Sequence, residues 1–216
     1  MKLYGYWRSS AAYRVRIALN LKDLAVEHIS VHLVNNGGEQ HRQAFKQLNP
    51  QALVPALIDA NDQHHHCITQ SMAIIEYLNE QYPRTPLLPQ DAYSRAIVRS
   101  MAQILACEVH PLDNLRVLQY LVGEMDVTQD NKMRWYHHWI HQGFAALEAL
   151  LQQHSGQYCF GDNVSLADLC LVPQVYNAKR FNVDLSAYPN IVRVDNACMQ
   201  LPAFQQASPE MQPDAN

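Results

Sequence analysis

Hydrophobic periodicity switches repeatedly between the strand period of two and the helix period of 3.6 over the first 80 residues of this 216-residue chain, then stays helical. Leu3-Tyr4-Gly5-Tyr6-Trp7 reads as a strand, and after Ser9-Ser10 the residues Val15, Ala18, Leu19 and Lys22, with Ile17 and Leu21 alongside, fall at helical spacing. Ala25–Val31 alternates as a strand, and a short helical stretch through Phe45 and Leu48 is stopped by Asn49-Pro50. Val54–Asp59 and His64–Ile68 read as two strands joined by Asn61-Asp62, before an amphipathic helix from Ser71 to Leu78 closed by Tyr82-Pro83.

That order is a parallel βαβ unit followed by an antiparallel hairpin and a packing helix, the thioredoxin-like arrangement. The proline-containing stretch 84–90 reads as a linker, and no strand is evident from Ala92 onward. Helices are expected from Ser94 to about His110, resuming after Pro111 through Leu121, over 131–153, after a Ser165/Asp168 capping box, and near 191–200. The tail from Ser208 to Asp214 is expected to be extended. The predicted fold class is therefore α+β: an N-terminal thioredoxin-like βαβαββα domain over 1–83 and an all-helical domain over 91–216.

Composition narrows the function. A formal net charge of −4 leaves no general footprint for nucleic acid, and no apolar run reaches the roughly 18 to 20 residues of a membrane span. The N-terminus lacks a signal-peptide pattern. Five cysteines without a Cys-x-x-Cys pair suit a reducing cytoplasm. His64-His65-His66 on a strand, and His137 with His141 one helical turn apart, lack the further ligands of a metal site, so none is predicted.

The chemistry concentrates where the first strand hands over to the first helix. Ser9 and Ser10 stand at that helix N-terminus, where unpaired N–H groups and the positive end of the dipole favour an anion. Arg8, Arg14 and Arg16 crowd the same turn with no acidic residue before Asp23, which also points to an anionic guest. A thioredoxin-like domain joined to a helical one suggests glutathione. A cis proline at Val54-Pro55 would present the Val54 backbone to the cysteinyl peptide, and Gln70-Ser71 at a helix start would hold the γ-glutamyl carboxylate. Gln40 is placed for the glycyl end. Ser9 or Ser10 would donate a hydrogen bond to the thiolate, lowering a thiol pKa that is about 8.5 unperturbed.

These blocks resemble the zeta class of glutathione transferases, the class that includes maleylacetoacetate and maleylpyruvate isomerases. The resemblance runs through Arg8-Ser9-Ser10 with Tyr13–Leu19, Asn49-Pro50 with Val54-Pro55, Gln70–Leu78, His110–Leu118, Ala167–Val175 and Arg180–Leu185. It departs at Ala11, where the family commonly carries cysteine, so the burden of thiol activation falls on Ser9 and Ser10. The resemblance implies a cytoplasmic, homodimeric, glutathione-dependent cis–trans isomerase of aromatic amino-acid catabolism such as tyrosine degradation. It would work by thiolate addition to the alkene, rotation and elimination. Arg8, Arg180 and Arg116 would bind the two substrate carboxylates, and His110 and Asn114 would reach the glutathione site, with the partner subunit as one source. Arg14 would lock the Ser9 loop or hold an enolate oxygen. The rivals are a glutathione-conjugating or dehalogenating transferase, which needs the same thiolate without two carboxylate clamps, and a non-catalytic interaction protein on the same scaffold.

Overall fold

The structure, a computed structural model, describes residues 1–215. It forms two compact units, one of Met1–Pro86 joined by the segment from Met199 onward, the other of Leu87–Cys198.

In the first unit, strands β1 (Lys2–Gly5), β2 (Glu27–Ser30), β3 (Ala56–Ile58) and β4 (Cys67–Thr69) form one sheet in the order β2-β1-β3-β4. β1 pairs parallel to β2 and antiparallel to β3, which pairs antiparallel to β4. Helix α1 (Ser10–Leu21) makes the crossover, α2 (Gln43–Leu48) precedes β3, and α3 (Ser71–Gln81) follows β4. This is the βαβαββα order expected. α1 and α3 pack against each other, and α3 against β3 and β4. Leu3, Val15, Ile17, Leu19, Leu57, Ile74 and Leu78 are buried there, each contributing about 1.5 to 3 kcal/mol by leaving water. A second apolar cluster joins Tyr6, Trp7, Val31, Phe45 and Val54 under the β1–α1 turn.

Two local expectations are corrected. His64, His65 and His66 lie in a turn ahead of β4, not on a strand, and His65 takes a φ of +51°. The cause is Asp62, whose carboxylate accepts the His64 and His66 backbone N–H groups and contacts the His66 ring at 3.0 Å, outcompeting a ladder. The C-terminal tail is also not extended: α9 (Pro202–Ala207) is followed by a 3₁₀ turn, Pro209–Met211, and the Gln212 side-chain amide donates back to the Gln206 and Ser208 carbonyls. α9 packs on α1 with Phe204 fully buried, which brings the segment from Met199 into the first unit instead of the helical domain assigned to it from periodicity.

The second unit holds α4 (Ala92–Gln103), a π-helical turn (Ile104–Val109), α5 (Leu115–Gly123), α6 (Gln129–His154), α7 (Leu166–Arg180) and α8 (Pro189–Cys198). Gly143 of α6 lies where a Cβ would fall 2.0 Å from Val109, so glycine permits α6 and the π turn to approach. Asp168, fully buried, accepts from the Ser165 N–H and hydroxyl and the Cys159 N–H, completing the capping box predicted at the start of α7. His137 and His141 hydrogen-bond to the Phe181 carbonyl and the Tyr188 hydroxyl, the contacts of packing side chains.

Candidate active site

The turn from β1 into α1 is held by several hydrogen bonds. Ser9 adopts an extended backbone as the N-cap, and its Oγ accepts from the Ala12 N–H at 3.2 Å. The hydroxyl proton finds no acceptor among the described residues, so the same side chain that starts the helix keeps a donor for a ligand. Ser10, the first helical residue, is buried. Ser9 N–H donates to the Tyr6 carbonyl at 2.9 Å, closing the turn. The Arg8 guanidinium lies 4.5 Å over the Trp7 ring and donates through Nη2 to the Tyr6 hydroxyl at 3.0 Å, which fixes its plane.

Arg14 is fully buried, and its Nη1 donates to Ser71 Oγ at 3.3 Å. It thus joins the start of α1 to the start of α3. Arg16 also holds the turn: its Nη2 donates to the Trp7 carbonyl at 3.0 Å and its Nε donates to the Ala207 carbonyl at 2.9 Å. Burial lowers the Arg16 pKa to about 10, with Tyr13 and Asp214 pulling the other way, and it remains charged at neutral pH. The sequence showed an arginine out of place beside a helix start; its partners, 9 and 191 residues away, were not legible.

Of the remaining first-unit candidates, Val54 shares an apolar cluster with Trp7 and Ser71 is bonded to Arg14. The Val54–Pro55 peptide is cis, and Val54 lies ahead of the β3 ladder, which starts at Ala56. Gln70, at the head of α3, takes a φ of +69°, a conformation costing an L-residue on the order of 1 to 3 kcal/mol, and its amide donates to Gln51 at 2.7 Å. Strain of that kind is kept where a side chain or backbone must be aimed. Ser71 is buried as the first residue of α3. Neither α1 nor α3 carries an acidic residue in its first turn, which leaves both helix N-termini suited to anions. Gln40 donates from Nε2 to the Leu33 carbonyl, while its buried Oε1 has no partner among the described residues, an acceptor suited to an amide N–H. Two helix starts, a strand-edge backbone and an unused acceptor fit a γ-glutamyl tripeptide with a thiol.

The second unit carries the other candidates. Asn114 caps α5 through the Arg116 N–H at 3.2 Å and lies 3.4 Å from His110 Nε2, so these two form a local pair. Arg116 is exposed. Arg180, the last residue of α7 and also exposed, lies 4.8 Å over the Phe181 ring, itself packed on the buried Tyr136. Asp113, between His110 and Asn114, was not anticipated: it is buried, neither carboxylate oxygen has a partner among the described residues, and burial pushes its pKa up to about 8.

Residues 1–80 match the family described as Glutathione S-transferase, N-terminal domain, and 140–210 match Glutathione S-transferase, C-terminal domain. A probable maleylacetoacetate isomerase of Vibrio cholerae is 53% identical over 213 residues, covering 99% of this chain and 97% of that protein. A holo structure of a maleylpyruvate isomerase, described as a bacterial zeta-class glutathione transferase, superposes with a TM-score of 0.94 at 49% identity and covers all of both chains. A maleylacetoacetate isomerase of Methylobacterium extorquens AM1, solved with malonate and glutathione bound, superposes equally well, with a TM-score of 0.94, at 39% identity over 100% of both chains. With the cis Val54–Pro55 peptide, the two helix starts and the paired Arg14 and Ser71 in place, this chain belongs to the zeta class of glutathione transferases.

Proposed function

We propose that this chain is a glutathione-dependent cis–trans isomerase of a maleyl dicarboxylate, maleylacetoacetate or maleylpyruvate. The observation that carries the reading is the Ser9 hydroxyl, whose oxygen is occupied by the Ala12 N–H while its proton is left to donate at a helix N-terminus. Glutathione, when bound, supplies a thiolate that adds to the alkene, allows rotation about the resulting single bond, and leaves again.

The residues of this chain do the rest. Ser9, with Ser10 beside it, stabilises negative charge on sulfur, and the dipole of α1 adds to that. Because Ala11 offers neither thiol nor hydroxyl, no other side chain of that motif shares the task. Ser71, aligned by Arg14, and Gln70 receive the γ-glutamyl carboxylate, and the Val54 backbone and Gln40 receive the peptide groups. The Arg8 fork, its plane set by Tyr6 and Trp7, takes one substrate carboxylate, and Arg180 or Arg116 takes the other. His110 and Asn114 complete the glutathione site, in a homodimer from the partner copy. The Methylobacterium isomerase, solved with malonate and glutathione bound, supports a dicarboxylate guest. No helix among the described residues is long and apolar enough to cross a membrane, and a cytoplasmic site of action fits the free cysteines.

The test is a spectrophotometric assay with both maleyl substrates, with and without glutathione. Turnover that requires glutathione without consuming it is the expected result. Glutathione lost in proportion to product would replace this reading with a conjugating transferase, and failure to bind immobilised glutathione would leave an interaction protein.

A further inference from the structure

We propose that Asp214 is a positioning residue for this site, its carboxylate carried back by the C-terminal segment to hold the Trp7 peptide from which Arg8 and Ser9 project.

The parallel ladder between β1 and β2 ends at Gly5 and Ser30, with one further bond from the Val31 N–H to the Gly5 carbonyl at 2.7 Å. At the end of that ladder Asp214 bridges the two segments. Its Oδ2 accepts the Trp7 N–H at 3.2 Å and the Ser30 hydroxyl at 2.9 Å. The Trp7 carbonyl, at the other end of the same residue, is held by Arg16, which at once grips the Ala207 carbonyl in the C-terminal segment. Trp7 is therefore clamped on both its backbone polar groups, by Asp214 directly and by an arginine that itself rests on the returning chain. Arg16 and Asp214 also attract one another, since the carboxylate raises the guanidinium pKa against the effect of burial.

The returning segment is anchored independently of that clamp. The Tyr13 hydroxyl meets the Phe204 carbonyl at 3.4 Å, the Asn20 amide donates to the Ala203 carbonyl at 3.0 Å, and Gln212 folds the chain over by two bonds to its own segment. Asp214 is thus delivered by a braced turn, and losing its carboxylate removes the bonds to Trp7 and Ser30 without releasing α9. The consequence falls on the site because Arg8 stacks on the Trp7 ring and Ser9 closes onto the Tyr6 carbonyl. A Trp7 peptide free to tilt moves the hydroxyl that faces the thiol and the guanidinium assigned to the substrate. The glutathione-holding groups at Val54, Gln70 and Ser71 are on other elements and stay where they are. The proposal predicts a split: thiol activation suffers and glutathione binding does not.

The activity part rests on the isomerase reading, but the decisive measurement does not. In the full-length protein, Asp214→Ala, Asp214→Asn and Ser30→Ala are compared for the pKa of glutathione in the binary complex, read from thiolate absorbance, for glutathione affinity by calorimetry, and for kcat. Asp214→Ala is expected to raise the bound thiol pKa by about one pH unit and so lower kcat near neutrality by about threefold, approaching tenfold at pH values well below the thiol pKa, with affinity within about threefold of the parent. Asp214→Asn, which keeps an oxygen for the Trp7 N–H, should recover most of the loss. Ser30→Ala, which leaves Trp7 bound, should fall between parent and Asp214→Ala, and serves if the alanine variant fails to fold. An unchanged thiol pKa in Asp214→Ala and Ser30→Ala overturns the proposal, as does a fall in melting temperature and affinity shared equally by the Asn and Ala variants. A parent that binds glutathione but turns over neither substrate would sink the isomerase reading and leave the thiol measurement intact.

Discussion

Arg14 donates to the Ser71 hydroxyl at 3.3 Å, so the first turns of α1 and α3 are joined by a buried guanidinium. A charge-assisted bond of that kind contributes about 1.5 to 3 kcal/mol, and it is spent on aligning a hydroxyl assigned to the γ-glutamyl carboxylate.

Arg14→Lys is therefore expected to weaken glutathione binding by about tenfold, because a lysine at that depth cannot reproduce the guanidinium fork. Calorimetric titration with glutathione checks this, and undiminished affinity together with undiminished activity would remove Arg14 from the site.

Ser9→Ala removes both a cap and a donor. The cap alone costs about 1 kcal/mol of stability, and the lost donor should shift the acid limb of the pH–rate profile upward and cut kcat by on the order of a hundredfold. Ser10→Ala should cost less. Equal, parent-like profiles in both variants would show that the α1 N-terminus activates the thiol without either hydroxyl.

Asp113 makes stability depend on pH. Its native pKa of about 8 stands above the usual 3.8, so between those values the folded state holds a proton that the unfolded state has released. The sign follows: stability is greatest below about pH 4 for this group and falls as pH rises through 8, at up to about 1.4 kcal/mol for every pH unit. Urea midpoints at pH 5, 6.5 and 8 should decline in the parent and decline less in Asp113→Asn.

Asp168→Ala leaves three buried donors, from Cys159 and Ser165, without their acceptor. A loss of about 3 to 5 kcal/mol is expected from denaturant unfolding, with kcat per folded molecule unaltered. A large kcat effect at full folding would give Asp168 a part in the chemistry.

Arg116→Ala and Arg180→Ala, both on exposed side chains, should leave the melting temperature within about 1 °C. If either clamps a substrate carboxylate, its KM for the maleyl substrate rises about tenfold or more while the glutathione KM stays constant. Unchanged substrate KM in both would leave Arg8 as the single clamp.

The periodicity of the chain was enough to determine the order of strands and helices, the thioredoxin-like unit and the helical run after it, because burial of one face writes a period of two or 3.6 into residues close in sequence. It also marked Ser9, Ser10, Gln70 and Ser71, since helix starts have a local chemistry, and the Ser165/Asp168 box for the same reason. It misplaced His64–His66, where Asp62 satisfies the backbone of a turn as well as a ladder would. Only the tertiary structure could pair Arg14 with Ser71, Arg16 with Ala207, and Asp214 with Trp7 and Ser30. Those contacts cross 57 to 207 residues, and a charged side chain carries no trace in its own neighbourhood of which distant backbone group it will satisfy. That the C-terminal segment folds back on the first unit was likewise undetermined by its own composition. It was decided by Phe204 finding a place against α1, which no local pattern records.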